Sequence, residues 1–355
     1  MTDLSSEIRQ QVIDANQSAT SLNIVGGNTK SWYGRTPEGS PLKLSDHTGI
    51  INYQPSELII TVRAGTKLSE IASVLDEHGQ RLPFDPPYFG NTATIGGTVA
   101  CGFSGPRRPY AGSCRDFVLG CTIVNGRGEM MRFGGEVMKN VAGFDVSRAI
   151  CGSMGTLGVL LDISLKVLPH RIAEQTLTIE EDFSTSIQTM NQWASTPLPV
   201  TAMASDGERT YFRICGTPSA VENSRDQIGG EIFEEGLNLW KAIREHSLDF
   251  FDDSRPLYRL SLPQNAEHIQ LGESRDSDWF IGWGGAQRWL KSRHPLHEIQ
   301  KLAELSGGHA SMFRNGDREH VFAPLSPALM QLHRQLKSAF DPNGTLNPGR
   351  MYREL

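Results

Sequence analysis

Two glycine-rich stretches of this 355-residue chain carry the residue types and spacing of an anion site. In the first, the short apolar run LNIV at 22–25 ends in Gly26–Gly27 and is followed by Asn28, Thr29, Lys30 and Ser31. A strand that ends in glycines ahead of such donors can converge amides, hydroxyls and one ammonium on an anion. Its spacing matches neither GxxxxGK[ST] nor GxGxxG, so an ordinary turn is the competing reading. The second stretch, Thr94–Asp116, packs five glycines, two prolines, two cysteines and three arginines into 23 residues. It shows almost no helical or strand periodicity, and a loop of that length is costly to order unless something holds it. Gly96, Gly97, Gly102 and Gly105 let the backbone approach a ligand, while Arg107, Arg108 and Arg115 supply positive charge. Gly152, Gly155 and Gly158 open a third such turn onto the apolar run at 158–169; plain turn glycines are the alternative there. A phosphate-bearing cofactor is the simplest partner for the set.

The elements that must position these stretches follow from periodicity. Leu4, Ile8, Val12 and Ala15 predict a helix over 4–17. Residues 49–82 read as strand, turn, strand and then a helix from Leu68 closed by Gly79; without strict βα alternation this is α+β rather than a doubly wound sheet. Pro83, Pro86 and Pro87 stiffen the approach to the second stretch. FVLGCTIV at 117–124 and EMMRF make a hairpin around NGRG. Asp145 is a candidate cap for a short helix. Residues 172–325 change character, with more charge, more tryptophan and alternating strands and helices. There the hairpin 278–290 places Trp279, Ile281 and Trp283 on one face, as core, interface or substrate wall. A helix over 327–339 leads to the Pro/Gly/Asn-rich tail FDPNGTLNPGRM, whose turns suggest that it docks rather than frays.

The net charge of −6 provides no basic field for nucleic acid or anionic lipid. The polar, acidic N-terminus does not read as a signal peptide, and Asp162 and Lys166 interrupt the most apolar run, so no membrane span is expected. Five cysteines without a CxxC pair read as free thiols in the cytoplasm and not as ligands of an iron–sulfur cluster.

Taken in order, VGGNTKS, DPP, TIGGTVACG, AGSCRDFVLG, GFD, GSMGTLGV and FDPNGTLNPGRM resemble the vanillyl-alcohol-oxidase-type, or PCMH-type, FAD-binding family. The resemblance covers 22–169 and 326–355. SGPRRPYAGSCRDFVLG, RFGGEVMKNVAGFD, WGGAQRWLKS and NPGRMYREL extend it along essentially the whole chain toward the FAD-binding E subunits of bacterial glycolate oxidases. It implies a PCMH-type domain over 1–170, with α+β subdomains at about 1–90 and 91–170. A cap domain over 171–325 follows, and 326–355 returns to the FAD domain. By this resemblance Gly26, Gly27, Asn28 and Thr29 hold the FAD pyrophosphate. Pro86, Thr94, Gly96, Gly97 and Thr98 run along the ribityl and flavin edge. Tyr110, Gly112, Ser113, Arg115 and Asp116 line the adenosine side or brace the loop, Val159 covers the flavin, and Asn347 and Arg350 reach its ring. Relatives that attach FAD covalently often carry histidine where this chain has Asn28, which implies non-covalent FAD.

The function implied is that of a flavoprotein oxidoreductase subunit, working with a homologous catalytic FAD subunit and an iron–sulfur subunit. In that complex glycolate or a similar 2-hydroxy acid loses a hydride to flavin, giving glyoxylate. It sits in the cytoplasm, or at the inner face of the membrane through its partners. Relatives that oxidise 2-hydroxy acids carry a metal-holding His-rich stretch with Gly-Asp-Gly-Asn in the cap. This chain has only Gly308–His309 and Asn315–Gly316–Asp317, so no metal site is expected; His294 and His297 read as solvated. Two other readings stand beside this one. A self-sufficient glycolate or D-lactate dehydrogenase would use His309 as its base, and a structural subunit would keep only a remnant flavin pocket.

Overall fold

Ile8, Val12 and Ala15 form the buried stripe of the helix Ser5–Gln17. In the computed structural model, which describes residues 1–135, 146–272 and 275–355, this stripe meets Leu22, Leu42, Val124, Val159, Leu161 and Leu346 in one core cluster. The chain divides into two compact units, 1–104 with 113–170 and 324–355, and 105–112 with 171–323. Asp145, the candidate cap, and most of the GFD-containing motif lie outside the described residues.

In the first unit, β1 (Leu22–Val25) pairs in parallel with β2 (Ser40–Lys43). Strands β3 (Ile50–Gln54) and β4 (Ile59–Arg63) precede the helix Leu68–Asp76 and the short β5 (Gln80–Arg81). Then come β6 (Val118–Val124), β7 (Met130–Gly134), β8 (Val159–Lys166) and β9 (Leu168–Pro169). β3, β4, β8, β6 and β7 lie side by side in that order as an antiparallel sheet. The apolar run of β8 earns the central place, since nearly every side chain in it is buried.

The stretch 94–116 is not the structureless loop that its composition predicts. Ile95–Cys101, Arg108–Ala111 and Cys114–Phe117 are short helices. The Thr94 hydroxyl caps the first by accepting from the Gly97 N–H at 3.3 Å, and Gly102, at φ 65°, ends it in the left-handed region. Two glycines inside a seven-residue helix lower its intrinsic propensity by roughly 1 kcal/mol each, which hides it from a reading by periodicity.

His47, fully buried in this unit, accepts the Leu4 N–H on Nδ1 at 3.1 Å, and its Nε2 lies 3.8 Å from Asp162. Burial, then the Arg63 cation, hold its pKa below the ordinary value against the opposing pull of Asp162 and Asp3. A histidine with a depressed folded pKa binds fewer protons than in the unfolded chain. Its contribution is therefore present above the unfolded pKa of about 6.5 and is lost as pH falls below it. In urea titrations at pH 7.5 and 5, His47→Gln should lose less stability on acidification than the wild type. An equal or steeper loss would contradict the assignment.

The second unit is built on one antiparallel sheet. Its strands are β10 (Ala173–Glu180), β11 (Val200–Ser205), β12 (Arg209–Gly216), β13 (Glu231–Ile232), β14 (Leu257–Ser261), β15 (Trp279–Gly282), β16 (Gln287–Lys291) and β17 (His309–Arg314). Their spatial order is 13-10-12-11-15-16-14-17, and the helices Phe183–Ala194 and Leu296–Leu305 bury their apolar faces against it. Trp279 and Ile281 enter that core, but Trp283 does not share their face. The strand stops at Gly282, and Trp283 turns at φ 53° so that its indole N–H reaches Gly105 O at 3.1 Å. Arg108 stacks 4.5 Å above the indole.

Candidate functional site

The first unit contains a cleft of about 660 Å³, open to solvent on one side and lined by 23–31, Pro37, Thr94, Gly97, Ala100, Cys101, Met154, Asn347 and Arg350. Local conformation gives it donors suited to an anion. Asn28 sits at φ 59°, in the left-handed region that asparagine tolerates, so successive amides turn the same way. Among the described residues, the backbone N–H groups of Gly26, Gly27, Asn28 and Thr29 donate to no protein acceptor. Lys30, almost wholly buried, donates from Nζ to Tyr88 O at 3.1 Å and to Thr29 Oγ1 at 3.3 Å. Arg350 donates to the carbonyls of Ser31 and Arg35. Four unpaired amides between two fixed cations are the donor set that a pyrophosphate needs.

A second cleft of about 470 Å³ shares Ile24, Gly26, Thr94, Gly97, Ala100, Met154 and Asn347 with the first, and adds the more apolar Leu44, Ala64, Gly155, Gly158 and Leu160. A polar, amide-lined trough continuing into an apolar one suits a ligand with an anionic middle and a planar apolar end. Asn347 stands where the two meet. Its Oδ1 accepts the Ile24 N–H and its Nδ2 donates to Met154 O, each at 2.7 Å. Asn347 and Met154 have φ of 42° and 53°, conformations that non-glycine residues hold at a cost of roughly 1 kcal/mol each. Cys101 lines the wall; burial pushes its thiol pKa up, and the Lys30 and Arg350 cations oppose this.

The structure brings together Gly26, Gly27, Asn28, Thr29, Thr94, Gly96, Gly97, Asn347 and Arg350 at these clefts. Not every candidate donates to the clefts, and several lie elsewhere. The Gly96 N–H is committed to Ala64 O at 2.8 Å, so Gly96 serves close packing rather than donation. Thr98 is fully buried and returns its hydroxyl to Thr94 O at 3.0 Å. Pro86 is buried outside both linings. Val159 faces the core beside Ile8 and Val12, because strand alternation gives the cleft to its neighbours Gly158 and Leu160. Ser113 and Asp116 cap a helix turn, the Ser113 N–H and Oγ donating to Asp116 at 2.8 and 2.7 Å, and Arg115 is exposed.

Tyr110 and Gly112 belong to the second unit, where Tyr110 packs against that unit's core. Arg107 is there too, paired with Glu174 at 2.8 Å, so its charge is already balanced. His309 is exposed on the edge strand β17, and its ring has no partner among the described residues. Partial burial and the Arg259 cation lower its pKa, but nothing orients it as a base. His294 pairs with Glu298 on the surface at 3.0 Å. No three His, Cys, Asp or Glu side chains among the described residues are arranged to hold a metal.

Ala100, Cys101, Met154 and Leu160 line the clefts without having been singled out. Gly97, Ala100 and Cys101 fall at i, i+3 and i+4, a helical face that becomes visible once the segment is known to be a helix. Met154 carries no sequence signal.

Comparison with known proteins places the chain among FAD-binding proteins. Residues 5–134 match the FAD binding domain model, and 318–351 match the model for the C-terminal domain of FAD linked oxidases. The chain is 45% identical over 353 residues to glycolate oxidase subunit GlcE of Escherichia coli (strain K12), covering 99% of each chain. It is 31% identical over 169 residues to glycolate oxidase subunit GlcD of Bacillus subtilis (strain 168), covering 47% of this chain and 36% of that one. Among solved structures, 4-ethylphenol oxidase from Gulosibacter chungangensis superposes with a TM-score of 0.73 at 15% identity, covering 99% of this chain and 88% of the other, a likeness of fold.

Proposed function

This chain belongs to the FAD-linked oxidases, in the branch of glycolate oxidase subunit GlcE, and from that premise we propose that it is the FAD-binding subunit of a glycolate-oxidising complex. The observation that carries the reading is the row of unpaired amides at 26–29 set between Lys30 and Arg350. These groups bind and orient the pyrophosphate, each charge-assisted bond contributing roughly 1.5–3 kcal/mol. Asn347 and Met154 hold the junction of the two clefts. FAD, when bound, supplies the two-electron acceptor by which a 2-hydroxy acid such as glycolate becomes a 2-oxo acid such as glyoxylate.

The partners are a homologous FAD subunit that carries the substrate chemistry and an iron–sulfur subunit that takes the electrons onward. The names of the GlcE and GlcD relatives, each a subunit of glycolate oxidase, support the first. The second is part of the proposal, since the five cysteines of this chain are free thiols. We assign the chain to the cytoplasm, or to the inner face of the membrane through its partners; no helix among the described residues is long and apolar enough to cross one.

The purified chain should show flavin absorption bands that stay oxidised with anaerobic glycolate and bleach with dithionite. Bleaching by glycolate would make this chain a self-sufficient dehydrogenase, and failure of the apoprotein to take up FAD would make it a structural subunit. Because Asn28 stands at the attachment place, acid precipitation should leave the FAD in the supernatant. Flavin absorbance on the pellet would overturn the non-covalent assignment.

A further inference from the structure

Behind the clefts, and outside both linings, lies a buried charge pair with no assigned role. Lys337, on the helix Pro327–Phe340, is 8% exposed, and Asp341, just past the end of that helix, is 1% exposed. The Lys337 ammonium spends its three N–H groups on Asp341 Oδ2 at 2.6 Å, Thr156 O at 2.8 Å and Leu346 O at 2.8 Å. Asp341 accepts the N–H groups of Thr345 and Leu346 at 2.9 and 2.8 Å. Every donor of the lysine is used, a geometry that tolerates no slack in its neighbours.

What the pair holds is specific. Leu346 immediately precedes Asn347, and Thr156 follows Met154 by two residues. Those two neighbours are the residues in left-handed conformations at the junction of the clefts, bonded to each other, with Asn347 also accepting from the Ile24 N–H. We propose that Lys337 and Asp341 are positioning residues for FAD, fixing the tail and the glycine turn at 152–158 so that Asn347 and Met154 present the correct wall to the cofactor. The proposal rests on the reading that these clefts hold FAD. The pair reaches the ligand only through Asn347 and Met154, so removing it loosens the wall without deleting a contact.

The test is FAD titration of apoprotein by flavin fluorescence, with the visible circular dichroism of bound flavin, on the wild type, Lys337→Met, Asn347→Ala and the double variant. Lys337→Met should raise the FAD Kd by about tenfold or more and change the flavin dichroism as Asn347→Ala does. In the Asn347→Ala background it should add much less than that factor, since the residue through which it acts is gone. Multiplying effects, or a Lys337→Met protein with wild-type Kd and dichroism, would overturn the proposal. Asp341→Asn and Lys337→Met/Asp341→Leu, which leaves neither charge unpaired, carry the same expectations if Lys337→Met does not fold. If Asn347→Ala itself binds FAD as the wild type does, it is the placement of FAD in these clefts that fails.

Discussion

Gly27→Ala is expected to remove FAD binding. A Cβ built on Gly27 falls 1.6 Å from the carbonyl oxygen of Thr92 and 2.5 Å from its carbon, both backbone atoms that no rotamer can move away. The Thr92 hydroxyl already donates to Gly27 O at 2.7 Å, so the two segments are in direct contact. The methyl must therefore drive the 26–29 turn away from the 92–97 segment, and residues of both line the cleft. Overpacking of this kind costs roughly 1–3 kcal/mol in stability. Loss of two charge-assisted bonds, at roughly 1.5–3 kcal/mol each, lowers FAD affinity at least about 100-fold. Gly216→Ala is the control, because its Cβ meets only ordinary contacts at 3.5 Å and beyond. Titration of both apoproteins with FAD checks the result; Gly27→Ala binding within about threefold of wild type would place the cradle elsewhere.

The contrast between Gly27 and Thr98 shows how far composition reaches. The glycine pair after an apolar run is legible as a turn that exposes its amides because only the backbone is needed to make one, and the backbone is what glycine advertises. Its close approach to Thr92 was not, because the partner lies 65 residues away and has no pattern. Thr98 and Val159 stand beside lining residues in the chain, yet they face inward. The helix Ile95–Cys101 and strand β8 decide facing by 3.6- and 2-residue periods, and glycine-rich segments blur both.

The strand β2 was missed for a similar reason. Ser40–Lys43 is short, contains Pro41 and buries only Leu42, so its pairing with β1 is a tertiary event without a local signature. Arg107 marks the opposite limit. In the sequence its charge reads as support for a phosphate, whereas the structure spends it on Glu174.

That ion pair yields the second large effect. Arg107, 8% exposed, donates to Glu174 Oε2 at 2.8 Å, and the Cys215 thiol donates to the same oxygen at 2.8 Å. Glu174→Ala leaves a buried guanidinium whose remaining described contact in this cluster is Cys215 Sγ at 3.6 Å. Breaking a buried pair from one side costs roughly 3–5 kcal/mol, and the one-quarter exposure of Glu174 argues for the lower end, about 3 kcal/mol. Urea unfolding followed by tryptophan fluorescence reads this in the right place. Of the six tryptophans, all but Trp32 lie in the second unit. The double variant Arg107→Met/Glu174→Leu removes both charges while filling the same space, and it should recover most of the loss. If the double variant is as unstable as Glu174→Ala, the anchoring of 105–112 to β10 and β12 depends on the hydrogen bonds themselves rather than on avoiding an unpaired buried charge.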